Sequence, residues 1–237
     1  MVTPYLDIPE SITAVDTSGL ASIIAELPTQ IEHASKEFNL ISLPTEWAQV
    51  NQVVFCGMGG SAIGGELASD LPATALRKLV MLIREYEIPE FVDANTLVVV
   101  VSYSGHTEEA LACFYAAQKK GTKILVVTSG GQLAKEAVVA NIPMYKFVYE
   151  APPRDSLGYL FAPLLRVLVV TGVITPTEAN LQPTINILRL LTKQFSPKVG
   201  SDTNYAKKIA YQVYDRVPVV VGSGILRGVA RRLVNQF

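Results

Sequence analysis

Apolar positions along this chain fall into two rhythms. Val53-Val54-Phe55-Cys56, Leu79 to Ile83, Thr96 to Val101 (TLVVVV), Lys123 to Thr128 (KILVVT) and Met144 to Val148 are short, nearly unbroken apolar runs. Unbroken runs of this length, rich in Val, Ile and Leu, predict parallel strands covered on both faces. The stretches between them are longer and mix apolar with polar positions. Residues 17–42 carry Leu20, Ile23, Ile24, Leu27 and Ile31 at helical spacing, with Ser18 as a candidate cap and Pro28 as a kink or break. Further helices are expected from Ala62 to Leu71, Thr107 to Lys120, Gln132 to Ala140, 156–171, Thr177 to Phe195 and Thr203 to Val213. In the helix starting at Thr107, Glu108 and Glu109 open the first turn, Lys119 and Lys120 fill the last, and Gly121 follows. That order complements the helix dipole, and the glycine ends the helix.

Strand and helix alternating over about 100 residues imply an α/β fold, a doubly wound parallel sheet. Such sheets bind ligands beyond the C-terminal strand ends, where the strand order switches. Two polar loops leave strands at that edge. The first, Gly57-Met58-Gly59-Gly60-Ser61, runs from a strand into a helix start, where unpaired amides suit an anion. The second, Ser102-Tyr103-Ser104-Gly105-His106-Thr107, places three hydroxyls around a glycine at another strand-to-helix turn. Hydroxyls and amides together can hold phosphate oxygens without a fixed positive charge. The bland alternatives are a glycine kept for turn geometry and a Thr107 that only caps its helix. Gly57-x-Gly59-x-x-Ala62 also fits a loose dinucleotide fingerprint, with Glu85 after the second strand. The second phosphate loop is surplus to such a protein.

Composition narrows the class. The 237 residues are 49% hydrophobic and 17% charged, enough for a sizeable core and too little charge for disorder. With a net charge of -1, no basic excess points to nucleic acid or an anionic membrane surface. The apolar region Leu157 to Ile174 is interrupted by Pro163, Arg166 and Gly172, so it reads as a buried helix rather than a membrane span. The N-terminus lacks the layout of a secretory signal, and a cytoplasmic location is expected. Two cysteines, Cys56 and Cys113, and two histidines, His33 and His106, suggest buried thiols and no metal site.

Beyond Thr175-Pro176-Thr177, a plausible connector, the chain repeats its opening device. Val217 to Gly224 (VPVVVGSG) predicts a strand entering a glycine turn, with a helix from Ile225. Residues 1–175 are therefore expected to form a first domain and 176–237 the beginning of a second. One strand and one helix cannot close a sheet domain. Either the sequence is a fragment of a longer protein, or its end packs on the first domain or on a partner.

GMGGSAIGG, SYSGHTEEAL and PRDSLGYLFAPLL, in this order and spacing, resemble the bifunctional phosphoglucose/phosphomannose isomerases, a branch of the sugar isomerase (SIS) domain proteins. The resemblance covers nearly the whole chain. It implies two SIS domains, a homodimer, and interconversion of glucose or mannose 6-phosphate with fructose 6-phosphate, without metal or organic cofactor. It places Gly59, Gly60 and Ser61 at the sugar, Ser102, Ser104, Gly105 and Thr107 at the phosphate, and Arg154 opposite the reacting carbons. A fixed guanidinium there would stabilise an enediolate. An ion pair with Asp155 or Glu150 is the alternative role for Arg154. His106 stands where the family usually has Asn. The family's catalytic Glu, in an Asn-Glu-Asn-like segment, and a His for ring opening would follow Asn235-Gln236-Phe237. Glu108 and Glu109 are more simply helix-start acids. A non-catalytic SIS module that senses a phosphosugar would also fit the missing base.

Overall fold

The structure, a computed structural model, describes residues 4–237. Five strands form one parallel sheet: β1 (Gln52–Cys56), β2 (Leu79–Ile83), β3 (Thr96–Ser102), β4 (Lys123–Thr128) and β5 (Met144–Lys146). Their order is β2-β1-β3-β4-β5, so the direction of winding reverses between β1 and β3. β3 pairs in register on both sides, Val99 beside Phe55 of β1 and beside Leu125 of β4.

The unbroken apolar runs are explained by two covered faces. Leu97, Val99 and Val101 of β3 join one core cluster, and Val98 and Val100 join the other. Each fully buried residue of this kind contributes about 1.5–3 kcal/mol. The first cluster is closed by α3 (Leu27–Phe38) and α7 (Leu157–Val170), through Ile31, Ala34, Phe38, Leu160, Leu164 and Leu168. α4 (Gly59–Ser69) packs on α7 at the same face. The second is closed by α5 (Glu108–Lys119) and α6 (Gly131–Val139), through Cys113, Phe114, Ala117, Leu133 and Ala137. Cys56 and Cys113 are both buried and free. No helix among the described residues is long and apolar enough to cross a membrane.

The remaining helices are α1 (Pro9–Val15), α2 (Leu20–Ala25), α8 (Gln182–Gln194), α9 (Tyr205–Val213) and α10 (Arg227–Val234). Pro28 sits in the first turn of α3 and divides it from α2. Asp16, not Ser18, caps α2: its carboxylate accepts from the Leu20 and Ala21 amides at 2.6 and 2.9 Å. α8 starts at Gln182, later than the apolar spacing suggests. Pro183 lacks the amide that an interior helical position needs and so belongs to a first turn, which the Asn180 side chain closes by accepting from the Gln182 amide. Ile185 of α8 is buried in the first core cluster beside α3.

The largest departure lies near the end. Val217 to Gly224 is not a strand. Val217, Val219 and Val221 are each at least 85% exposed and have no neighbouring strand. A strand is defined by its ladder, and no second sheet exists among the described residues to supply one. The expected helix does follow, as α10, and it packs on α4.

Candidate functional site

The reversal between β1 and β3 places the ends of these two strands side by side, and the two polar loops leave from them. In the first, Gly59 adopts a φ of +49° and begins α4. Gly60 is needed for approach: a Cβ there would lie 2.6 Å from the Arg154 amide nitrogen. Ser61 is buried, and its Oγ accepts from the Tyr103 amide at 3.0 Å. That bond joins the first loop to the second, although they are 42 residues apart.

In the second loop the hydroxyls divide their work. Ser102, expected at the phosphate, is instead fully buried beneath the turn; its Oγ lies 2.9 Å from Thr107 Oγ1 and accepts from the Gly105 amide at 3.1 Å. Ser104 is exposed and accepts from the His106 amide at 3.2 Å. Thr107 occupies the N-cap position of α5, but its side chain caps no amide and turns to Ser102 instead. The first amides of α5 are therefore left without a side-chain cap. His106 is exposed.

Gly105, at a φ of +66°, rests on the β4–α6 loop: a Cβ there would overlap the Gly130 carbonyl oxygen. The Leu133 amide donates to the Gly105 carbonyl at 2.9 Å, and Ser129 Oγ donates to the Tyr103 carbonyl at 2.6 Å. In the sequence, Ser129-Gly130-Gly131 reads only as a turn. Its repetition of small residues after a strand is the available signal for this supporting role.

Arg154 lies in a short 3-10 turn, Pro153–Asp155, held against Gly60. Its side chain is half exposed, and its Nε lies 3.5 Å from the Asp155 carboxylate. Asp155 is buried, and neither carboxylate oxygen accepts a hydrogen bond from the described residues. Two further groups hold this segment. Gln30 of α3, also buried, donates to the Asp155 carbonyl at 2.9 Å and accepts from the Gly158 amide at 3.1 Å. Tyr103 donates through its hydroxyl to the Tyr149 carbonyl. The Tyr149 hydroxyl in turn donates to Glu26 at 2.8 Å, and burial with that bond pushes its pKa up to about 12. Sequence reasoning misses Gln30, because one amide on an apolar helix face gives no sign of its partners.

All the expected site residues thus lie at one edge of the sheet: Gly59, Gly60 and Ser61 at the start of α4, Ser102 to Thr107 at the start of α5, and Arg154 across Gly60. A separate concavity lies elsewhere. It is about 810 Å³, runs along Leu82–Glu90 and is lined by Glu85, Glu87 and Glu90 against Arg84. That excess of carboxylates suits a phosphate poorly.

The strand order defines a doubly wound α/β domain, with these two loops at its switch point. The crystal structure of tagatose-6-phosphate ketose/aldose isomerase from Escherichia coli superposes with a TM-score of 0.58 at 16% identity, over 91% of this chain and 62% of that one. No family model matches the chain. Among curated proteins, the bifunctional phosphoglucose/phosphomannose isomerase of Caldicellulosiruptor bescii is 34% identical over 215 residues, 90% of this chain. The protein of the same name from Thermoplasma acidophilum is 35% identical over 189 residues, 79% of this chain. The chain is a homologue of the bifunctional phosphoglucose/phosphomannose isomerases. It spans 63% and 54% of the length of those two relatives.

Proposed function

We propose that the protein to which this chain contributes interconverts glucose 6-phosphate and mannose 6-phosphate with fructose 6-phosphate. The observation that carries this reading is the joining of two helix N-termini, α4 and α5, by the Ser61–Tyr103 hydrogen bond, with the Arg154 turn seated on Gly60. Relatives bearing the isomerase name support it. Ser104, Thr107 and the first amides of α5 take the phosphate, and Ser102 orders the loop from beneath. Gly59, Gly60 and Ser61 line the sugar. A base removes the C2 proton of the open-chain aldose, and the electrons move onto the carbonyl oxygen as an enediolate. Arg154 stabilises that charge without giving up a proton of its own. The same proton returned to C1, with the hydroxyl proton on O2 passing to O1 as the C2 carbonyl forms, completes the ketose.

A base must reach within about 3 Å of the proton that it moves. Glu108 and Glu109 stand in the first turn of α5 and serve its dipole. We place the base, a glutamate, and a ring-opening histidine beyond Phe237. Residues 176–237 then begin a second SIS unit, in a cytoplasmic homodimer with sites between units.

The test is an isomerase assay of the protein translated from the complete coding sequence, from both aldose phosphates and from fructose 6-phosphate. Turnover in both directions is expected. Changing Ser104→Ala together with Thr107→Val should raise KM about 10²- to 10⁴-fold, two lost hydrogen bonds to a charged group. A complete protein that turns over neither aldose phosphate overturns the reading.

A further inference from the structure

Asp155 poses a physical problem. A carboxylate this deeply buried, with no hydrogen-bond donor on either oxygen, is costly unless cations lie close. Arg154 is one such cation, with Nε at 3.5 Å. If Asp155 held the Arg154 guanidinium fully, that guanidinium would be withdrawn from any ligand. A second cation comes from the far end of the chain. Arg232 of α10 donates to the carbonyl of Arg154, 78 residues earlier, and feels the attraction of the Asp155 carboxylate without closing an ion pair with it.

α10 is fixed well enough for this contact to be specific. Asp70, at the C-terminal end of α4, accepts from the Gly228 amide in the first turn of α10 at 2.6 Å and pairs with Arg227. A carboxylate at a helix N-terminus is favourably placed against the dipole. Gly228 also packs against Glu66 and Leu67, with room for no larger residue without adjustment. One helical turn further along, Arg232 therefore arrives at the 153–155 turn on a docked helix. Burial lowers its pKa, Asp155 opposes that effect, and Arg154 adds to it.

We propose that Arg232 is a positioning residue for Arg154. It anchors the carbonyl of that turn and supplies the counter-charge to buried Asp155, leaving the Arg154 guanidinium available to the substrate. The proposal rests on the isomerase reading, which puts Arg154 at the reacting carbons. It adds that a helix of the segment after residue 176 sets the competence of the site on the first sheet.

Kinetics of the complete protein test it. Arg232→Gln should lower kcat about 10- to 100-fold, the scale of a misplaced catalytic group, with KM within about threefold because the phosphate loop is untouched. Asp155→Asn in the same protein should restore most of that loss, since no bare carboxylate then captures Arg154. Arg231→Gln, on the same helix but facing Arg84 and Glu66, should keep the wild-type kcat. A melt of each variant identifies any that fails to fold, and Arg232→Lys, which keeps a cation and a donor at that position, should retain most of the wild-type kcat. The proposal is overturned if Arg232→Gln retains kcat, if Asp155→Asn gives no rescue, or if Arg231→Gln loses as much. An inactive wild type sinks the isomerase reading and this proposal together; an active wild type with an indifferent Arg232 sinks this proposal alone.

Discussion

Single residues at this sheet edge are chosen by contact, and contact is what sequence conveys least. Gly105 is the sharpest case. Its φ is positive, and a methyl group at its Cα would overlap the Gly130 carbonyl oxygen, so the two backbones touch through hydrogen only. Gly105→Ala should destabilise the domain by about 3 kcal/mol, strain and overpacking combined, read as a lower urea midpoint at unchanged slope. A shift under a third of that would mean that the loop relaxes freely. The glycine is visible in the sequence as part of the SYSGHT loop, whereas its partner is not. Thr107 shows the same boundary: the sequence allows both a helix cap and a phosphate ligand, and only its turn toward Ser102 removes the cap. Arg154 and Asp155 are adjacent in sequence, so their pairing is open to inspection. Arg232 and Gln30, respectively 78 and 125 residues from the parts of that turn they hold, are not.

Elements are more legible, because their signals are local. β3 and β4 begin where their apolar runs begin, and both glycine loops sit between a strand and a helix as expected. The starts of α2 and α8 differ from expectation, since capping depends on which of several polar side chains reaches the free amides. The link from α7 to α8 shows how such a choice is enforced. Glu178 accepts from the Thr175 amide and hydroxyl and pairs with Arg77 at 2.8 Å, tying the link to the approach to β2. Those bonds, Arg77 first, hold its carboxyl down to about 2 from an ordinary 4.5. Folding therefore favours the ionised form. The stability it contributes is present above about pH 4.5 and disappears as pH falls toward 2. Urea midpoints measured from pH 6 to pH 2 should fall less steeply for Glu178→Gln than for wild type. Parallel curves would show the pair to be energetically silent, as exposed pairs often are.

For the whole molecule, periodicity foretells five strands and a doubly wound sheet, and these form. The same reasoning foretells a sixth strand at Val217 to Gly224, where apolar spacing is equally good but no partner strand exists among the described residues. A strand pattern states what a segment can pair with, not whether the pairing segment is at hand. With the chain spanning about three-fifths of the length of its relative from Caldicellulosiruptor bescii, the segment is proposed to pair in the complete protein. Amide hydrogen exchange at residues 219–223 should then be fast in the 237-residue chain and markedly slower in the longer one. Equal, fast exchange in both would place the second sheet elsewhere.

The most direct measurement of the site is an amide chemical-shift titration of the labelled 237-residue chain with fructose 6-phosphate. Gly60, Ser61, Gly105, Glu108 and Glu109 should shift together along one binding curve, with the Arg154 amide following. Silence at those amides, or shifts gathered instead along Leu82–Glu90, would contradict a phosphosugar site at the joined ends of β1 and β3.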